Sequence, residues 1–199
     1  MKFVQVMLAV LALATTLGGL VGCAAAVVGG AAAGAVIAHD RRTTGTIVED
    51  QAIELRAGEA LRDDPQIASQ THINVTSYNQ IVLLTGEAPT AELRERAGTL
   101  VRQDPKVRQV YNEIVIAAPS AMSARSSDTW ITTKAKSALL SVEGLSGFDP
   151  TRVKVVTERG VVYLFGLLTQ AEADAVTETV RGVGGVQRVV RLFEYINQA

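Results

Sequence analysis

One cysteine and two histidines in 199 residues leave this chain little for thiol or metal chemistry. Cys23 has no internal partner, so no intramolecular disulfide holds the fold. The formal net charge of -1 excludes a strongly basic nucleic-acid binder on overall balance and confines any charge argument to local patches. Also missing are a nucleophile elbow, a Walker loop, paired histidines at metal spacing and a glycine fingerprint ahead of a helix. Gly182, Gly184 and Gly185 follow an expected helix instead of opening one, so they read as a helix stop. The carboxylates are spread along solvated helix faces in no obvious pair. These absences lead to the expectation of a non-enzymatic protein with no metal, no cofactor and no nucleic-acid partner.

What the chain does have is a repeat. Ile73 to Gly86 and Val153 to Gly166 each carry two short runs of alternating apolar residues, parted by polar turn residues and closed by glycine. Val75/Val155, Val82/Val162, Leu84/Leu164 and Gly86/Gly166 are all 80 residues apart, and the spacing continues into Ala91/Ala171 and Glu92/Glu172. This is a tandem duplication, and each hairpin reads as two half-buried antiparallel strands.

The first unit, 46–116, reads as helix, strand, strand, helix, strand. Asp50 is expected to cap a helix with Ile53, Ala57, Ala60 and Leu61 on its buried face, and Asp63-Asp64-Pro65 stops it. Pro89-Thr90 opens a second helix with Leu93, Ala97, Leu100 and Val101 inward, ended by Asp104-Pro105, and Val107 to Ile116 supplies the last strand. Residues 117–127 read as a linker of small and polar residues. The second unit, 128–199, repeats the order: Asp128 caps the first helix, and Thr169 with Glu172 forms a capping box on the second. The fold class is therefore α+β, two tandem α-β-β-α-β units, each a three-stranded sheet with two helices on one face.

Ahead of these units, Lys2 and an apolar run lead to Leu20-Val21-Gly22-Cys23. The run reads as a secretion signal, and the last four residues resemble the lipobox of bacterial lipoproteins. That resemblance implies removal of residues 1–22 and acylation of Cys23, with palmitate-type chains as the covalent lipid. An ordinary signal peptide or an uncleaved anchor reaching Ala38 is the alternative. Ala24 stands where inner-membrane retention in many bacteria wants aspartate, which favours the outer membrane. Residues 23–45 then form an alanine- and glycine-rich tether; Gly30 and Gly34 leave a small-residue packing face open, and His39 reads as a solvated loop residue.

The α-β-β-α-β order, the hairpins ending at Gly86 and Gly166, and the Val107, Val110, Asn112, Ile114 ending resemble the BON domain of bacterial envelope proteins. In the second copy Arg191 and Phe193 replace Asn112 and Ile114, so that ending is degraded. Two such units behind a lipobox are similar to the dual-BON-domain outer-membrane lipoproteins of Gram-negative bacteria. The resemblance implies a lipid-anchored protein facing the periplasm that binds phospholipid and supports envelope integrity, with links to division and outer-membrane stress.

The two copies differ most in their first helices. Residues 47–64 hold six acidic side chains against two arginines, a net -4, whereas residues 125–142 hold three basic side chains against Asp128, a net +2. On the second of these helices Ile131, Ala135, Ala138, Leu139 and Val142 face inward, while Trp130, Thr133, Ser137 and Leu140 line up outside at i, i+3, i+7 and i+10. The first copy has Ala52, Leu55, Glu59 and Arg62 at those places. Trp130, Thr133, Lys134, Lys136, Ser137 and Leu140 are thus the candidate contact to an anionic phospholipid membrane. The same stripe could dock an envelope protein, and Trp130 packed between the two units is the structural alternative.

Overall fold

The structure is a computed structural model that describes residues 40–142, 145 and 147–197. Cys23 and the expected tether as far as His39 lie outside the described residues, and residues 40–45 of that stretch lead into the first helix. Residues 41–199 make one compact unit, and no helix among the described residues is long and apolar enough to cross a membrane.

Each half of this unit has the expected order with one short addition. In the first, α1 (Thr44–Asp63) is followed by α2 (Pro65–Gln70), β1 (His72–Tyr78), β2 (Ile81–Ala88), α3 (Ala91–Arg102), β3 (Gln109–Asn112) and β4 (Val115–Ile116). Asp64 does more than stop α1: its side chain accepts from the Gln66 and Ile67 N-H groups and so caps α2, with Pro65 at the first helical position. In the second half, α4 (Met122–Leu139) precedes a 3-10 turn at Pro150–Arg152, then β5 (Lys154–Glu158), β6 (Val161–Leu168), α5 (Gln170–Arg181) and β7 (Arg188–Tyr195). The capping box is present: Thr169 accepts from the Glu172 N-H, and Glu172 accepts from the Thr169 N-H.

In both sheets the central strand pairs antiparallel with its hairpin partner and parallel with the strand that returns after the helix. Thus β2 lies between β1 and β3, with β4 extending β3 in the same register, and β6 lies between β5 and β7. Asn112 marks the interruption. Its amide donates to the Arg94 carbonyl, and its oxygen accepts from the Ile114 N-H across the break. Arg191, its counterpart, instead reaches Asp174, and β7 runs unbroken.

Two expectations need correction. The aspartates Asp50 and Asp128 are not helix caps: α1 starts at Thr44 behind the cap Thr43, and α4 starts at Met122. Both aspartates are buried within their helices and clamp the hairpin turns. Asp50 accepts from the Asn79 and Gln80 N-H groups and from the Ser77 hydroxyl, and Asp128 accepts from the Arg159 and Gly160 N-H groups. Those turns have positive φ at both central residues, as a tight two-residue hairpin requires. The strands, too, are more than half-buried. All eight residues of β2 are buried, because the alternation that sends Val82 and Leu84 to the helices sends Ile81 and Leu83 to a second core.

That second core joins the two sheets back to back. Tyr78, Ile81 and Leu83 from the first domain meet Tyr163, Phe165 and Leu192 from the second, and the Tyr78 and Phe165 rings stack at 5.7 Å between centroids. The result is four layers, helix, sheet, sheet, helix, with three cores. Polar contacts rim the seam: Lys154 to Glu54 at 2.9 Å, Asn74 to Glu158 at 2.9 Å, Arg108 to Glu194 at 2.9 Å and Arg159 to Glu87 at 3.3 Å. Arg41 and Arg42 straddle it just ahead of α1. Arg41 makes a paired contact with Glu172 of the second domain, while Arg42 bonds Asp50 of the first and lies 3.8 Å over the Tyr78 ring.

Candidate functional site

The four-layer arrangement puts α4 in an outer layer, away from the seam. Its inward face is Asp128, Ile131, Ala135 and Leu139. Opposite that face, Trp130 is 62% and Leu140 75% exposed, with Thr133 and Ser137 exposed between them. Trp130 is therefore not buried between the domains. The earlier start of the helix adds Met122, 72% exposed, to the same side. Counting about 100° per residue, Met122, Ser126, Trp130, Thr133, Ser137 and Leu140 fall within an arc of about 80°. The stripe runs the whole helix, about 27 Å at the usual rise. Met122 was legible only to a reading that started the helix six residues earlier.

The basic residues are placed less uniformly. Lys136 is exposed on the flank of the stripe. Lys134 turns the other way, and its ammonium group donates to the Gly184 carbonyl just past the end of α5, where a cation is favoured by the helix dipole. Arg125 folds back on the linker, donating to the Ser120 carbonyl at 3.0 Å. The charge difference between the two first helices stands, but the apolar difference is smaller than the sequence suggested. On α1, Val48 and Leu55 are 59% and 60% exposed. What α4 adds is the large ring and the absence of acidic groups along the stripe.

A second cluster sits at the seam. His72 and Glu87 are cross-strand partners on β1 and β2, and Glu158 ends β5 in the other domain. One ligand-type atom from each lies within 4.8 Å of the others. His72 is half-buried with Nδ1 3.2 Å from Glu87 Oε2. Burial pushes the Glu87 carboxyl up, but the Ser120 N-H, His72 and Arg159 outweigh it and hold the group below the ordinary glutamate range.

Comparison with known proteins fits this geometry. The BON domain family matches residues 49–118 and 127–197, most of the chain. The chain belongs to the BON domain family. Outer membrane lipoprotein DolP of Haemophilus influenzae is 37% identical over 178 residues, 89% of this chain and 91% of the relative. The 21 kDa hemolysin of Actinobacillus pleuropneumoniae is 41% identical over 157 residues, 79% of each chain. Osmotically-inducible protein Y of Escherichia coli is 29% identical over 161 residues, 79% of this chain and 78% of the relative. The likeness to DolP supports an outer-membrane lipoprotein, and the two matched segments are the two halves of the four-layer unit, so each half is one BON domain.

Proposed function

We propose that this BON-domain lipoprotein is held to the outer membrane by acyl chains on Cys23, faces the periplasm, and reads anionic phospholipid with the outer stripe of α4. It acts by binding and not by catalysis, and through that contact it supports envelope integrity. The carrying observation is the exposure of Trp130 and Leu140 on a helix whose outward stripe bears no carboxylate. Such side chains suit the headgroup region, where a ring finds apolar surroundings and its N-H keeps a polar partner.

The expected strength is modest. A basic residue near an anionic surface contributes about 1 kcal/mol, and burying a leucine or methionine side chain contributes roughly 1.5 to 3 kcal/mol. With Lys134 held at Gly184 and Arg125 on the linker, the apolar share exceeds the ionic one. The acyl anchor raises the effective concentration of lipid, so a weak site can respond to local composition without setting attachment.

Flotation with vesicles tests the reading on residues 41–199, which form one compact unit with their own cores. The parent should float with anionic vesicles and more weakly with zwitterionic ones. Trp130→Glu should abolish flotation while leaving the circular dichroism intact, and Ala52→Glu on α1 should change little. If Trp130→Glu floats like the parent, the stripe is not the lipid contact. Acylation is tested separately: mass spectrometry should find a lipid-modified Cys23 as the first residue of the mature chain, and an unmodified cysteine would end the anchor assignment.

A further inference from the structure

We propose that His72, Glu87 and Glu158 form a zinc-type divalent-cation site that staples the two BON domains together at the seam. The ligands come from both sides: β1 and β2 of the first domain supply an imidazole and a carboxylate, and β5 of the second supplies the other carboxylate. Glu87 is fully buried and Glu158 is 7% exposed. Of the two buried carboxylates, Glu87 meets the half-exposed guanidinium of Arg159 at 3.3 Å, and Glu158 has the neutral amide of Asn74. With Arg125 and Asp128 of the adjoining cavity included, three carboxylates stand against two guanidinium groups, and the excess of negative charge favours a cation there.

The carboxylates are already oriented from behind. Glu87 accepts from Arg159 on one oxygen and from the Ser120 N-H at 3.2 Å on the other, and Glu158 accepts from Asn74 at 2.9 Å. Outer hydrogen bonds of this kind fix ligand direction in metal sites. An ion would take the place of the His72 to Glu87 hydrogen bond: Nδ1 becomes the ligand and the ring proton moves to Nε2. A polar cavity of about 230 Å³ opens beside the cluster, lined by His72, Asn74 and Glu158 and by Asp128 and Arg125. It provides an entry path and room for water to complete the coordination. One nitrogen and carboxylate oxygens are a ligand set suited to zinc, whereas magnesium and calcium prefer oxygen alone.

The test uses full-length protein purified in detergent and stripped with a chelator. Zinc should bind at one ion per chain in competition with a chromophoric chelator. At free zinc about a hundredfold above its dissociation constant, the unfolding midpoint should rise by about 5 to 10 °C. His72→Gln and Glu158→Gln, one in each domain, should weaken binding at least about tenfold, as ligand-shell changes do, with circular dichroism unchanged. His39→Gln should bind like the parent, which separates the seam from the tether. Absence of saturable binding at micromolar zinc, binding that survives both His72→Gln and Glu158→Gln, or binding lost with His39→Gln would each overturn the site.

Discussion

The same residue type at equivalent places does the same hidden work in both domains: Asp50 and Asp128 each hold a hairpin turn from inside a helix. An aspartate just ahead of an apolar stripe looks the same in sequence whether a helix begins there or has already run two turns. What conceals the earlier start is that residues 44–49 and 122–127 present no buried stripe of their own. Asp128→Ala would leave the N-H groups of Arg159 and Gly160 without their carboxylate. Urea denaturation should show a loss of about 3 to 6 kcal/mol, the sum expected for two hydrogen bonds to a charged group. Glu172 supplies a pH dependence at the same scale. Burial raises its carboxyl, but the Arg41 guanidinium and the Thr169 N-H together bring it below the ordinary value of 4.5. A group depressed in the folded state adds stability above its unfolded value, and that stability is lost as pH falls through the folded one. The melting midpoint should therefore drop more steeply below about pH 4.5 in the parent than in Arg41→Gln, and parallel curves would show that the pair is not coupled to folding.

At the scale of elements, the helix and strand order was legible because helix periodicity, turn residues and capping signals agree with one another. The role of the central strands was not. Ile81-Val82-Leu83-Leu84 and Val161-Val162-Tyr163-Leu164-Phe165 are continuous apolar runs, the mark of a strand buried on both faces, and reading only their alternation hides the second face. Leu84→Ala and Leu164→Ala empty the helix-side cores and should each cost roughly 2 to 5 kcal/mol by chemical denaturation. Gly86 is fixed for a different reason. Its φ is +107°, and a Cβ there would stand 2.0 Å from the His72 carbonyl oxygen. At an unstrained site such a change stabilises by about 0.4 to 1 kcal/mol, whereas here Gly86→Ala should destabilise by more than that amount, and a neutral result would mean that the strand ends elsewhere.

For the whole molecule, the duplication was visible in the sequence, but the way the copies pack was not, because a repeat spacing says nothing about which faces meet. The sheet-to-sheet seam gives the two BON domains a shared core, which should couple their unfolding. Calorimetry should give a single unfolding transition, and Phe165→Ala, which removes one of the stacked rings from the seam, should lower it by about 3 to 5 kcal/mol in stability. Two separate transitions in the parent would mean that the seam does not couple the domains.

The layered body also leaves the α4 stripe as the surface where the two copies differ most, and Trp130 is the only tryptophan in the chain. Its intrinsic fluorescence therefore reports directly on the proposed contact. Free protein should emit at long wavelength from a ring that is 62% exposed. Adding anionic vesicles should move the emission to shorter wavelength, acyl chains brominated near the headgroup should quench it, and rising salt should partly reverse the shift. Emission that stays unmoved and unquenched at saturating anionic lipid would contradict the lipid-reading account.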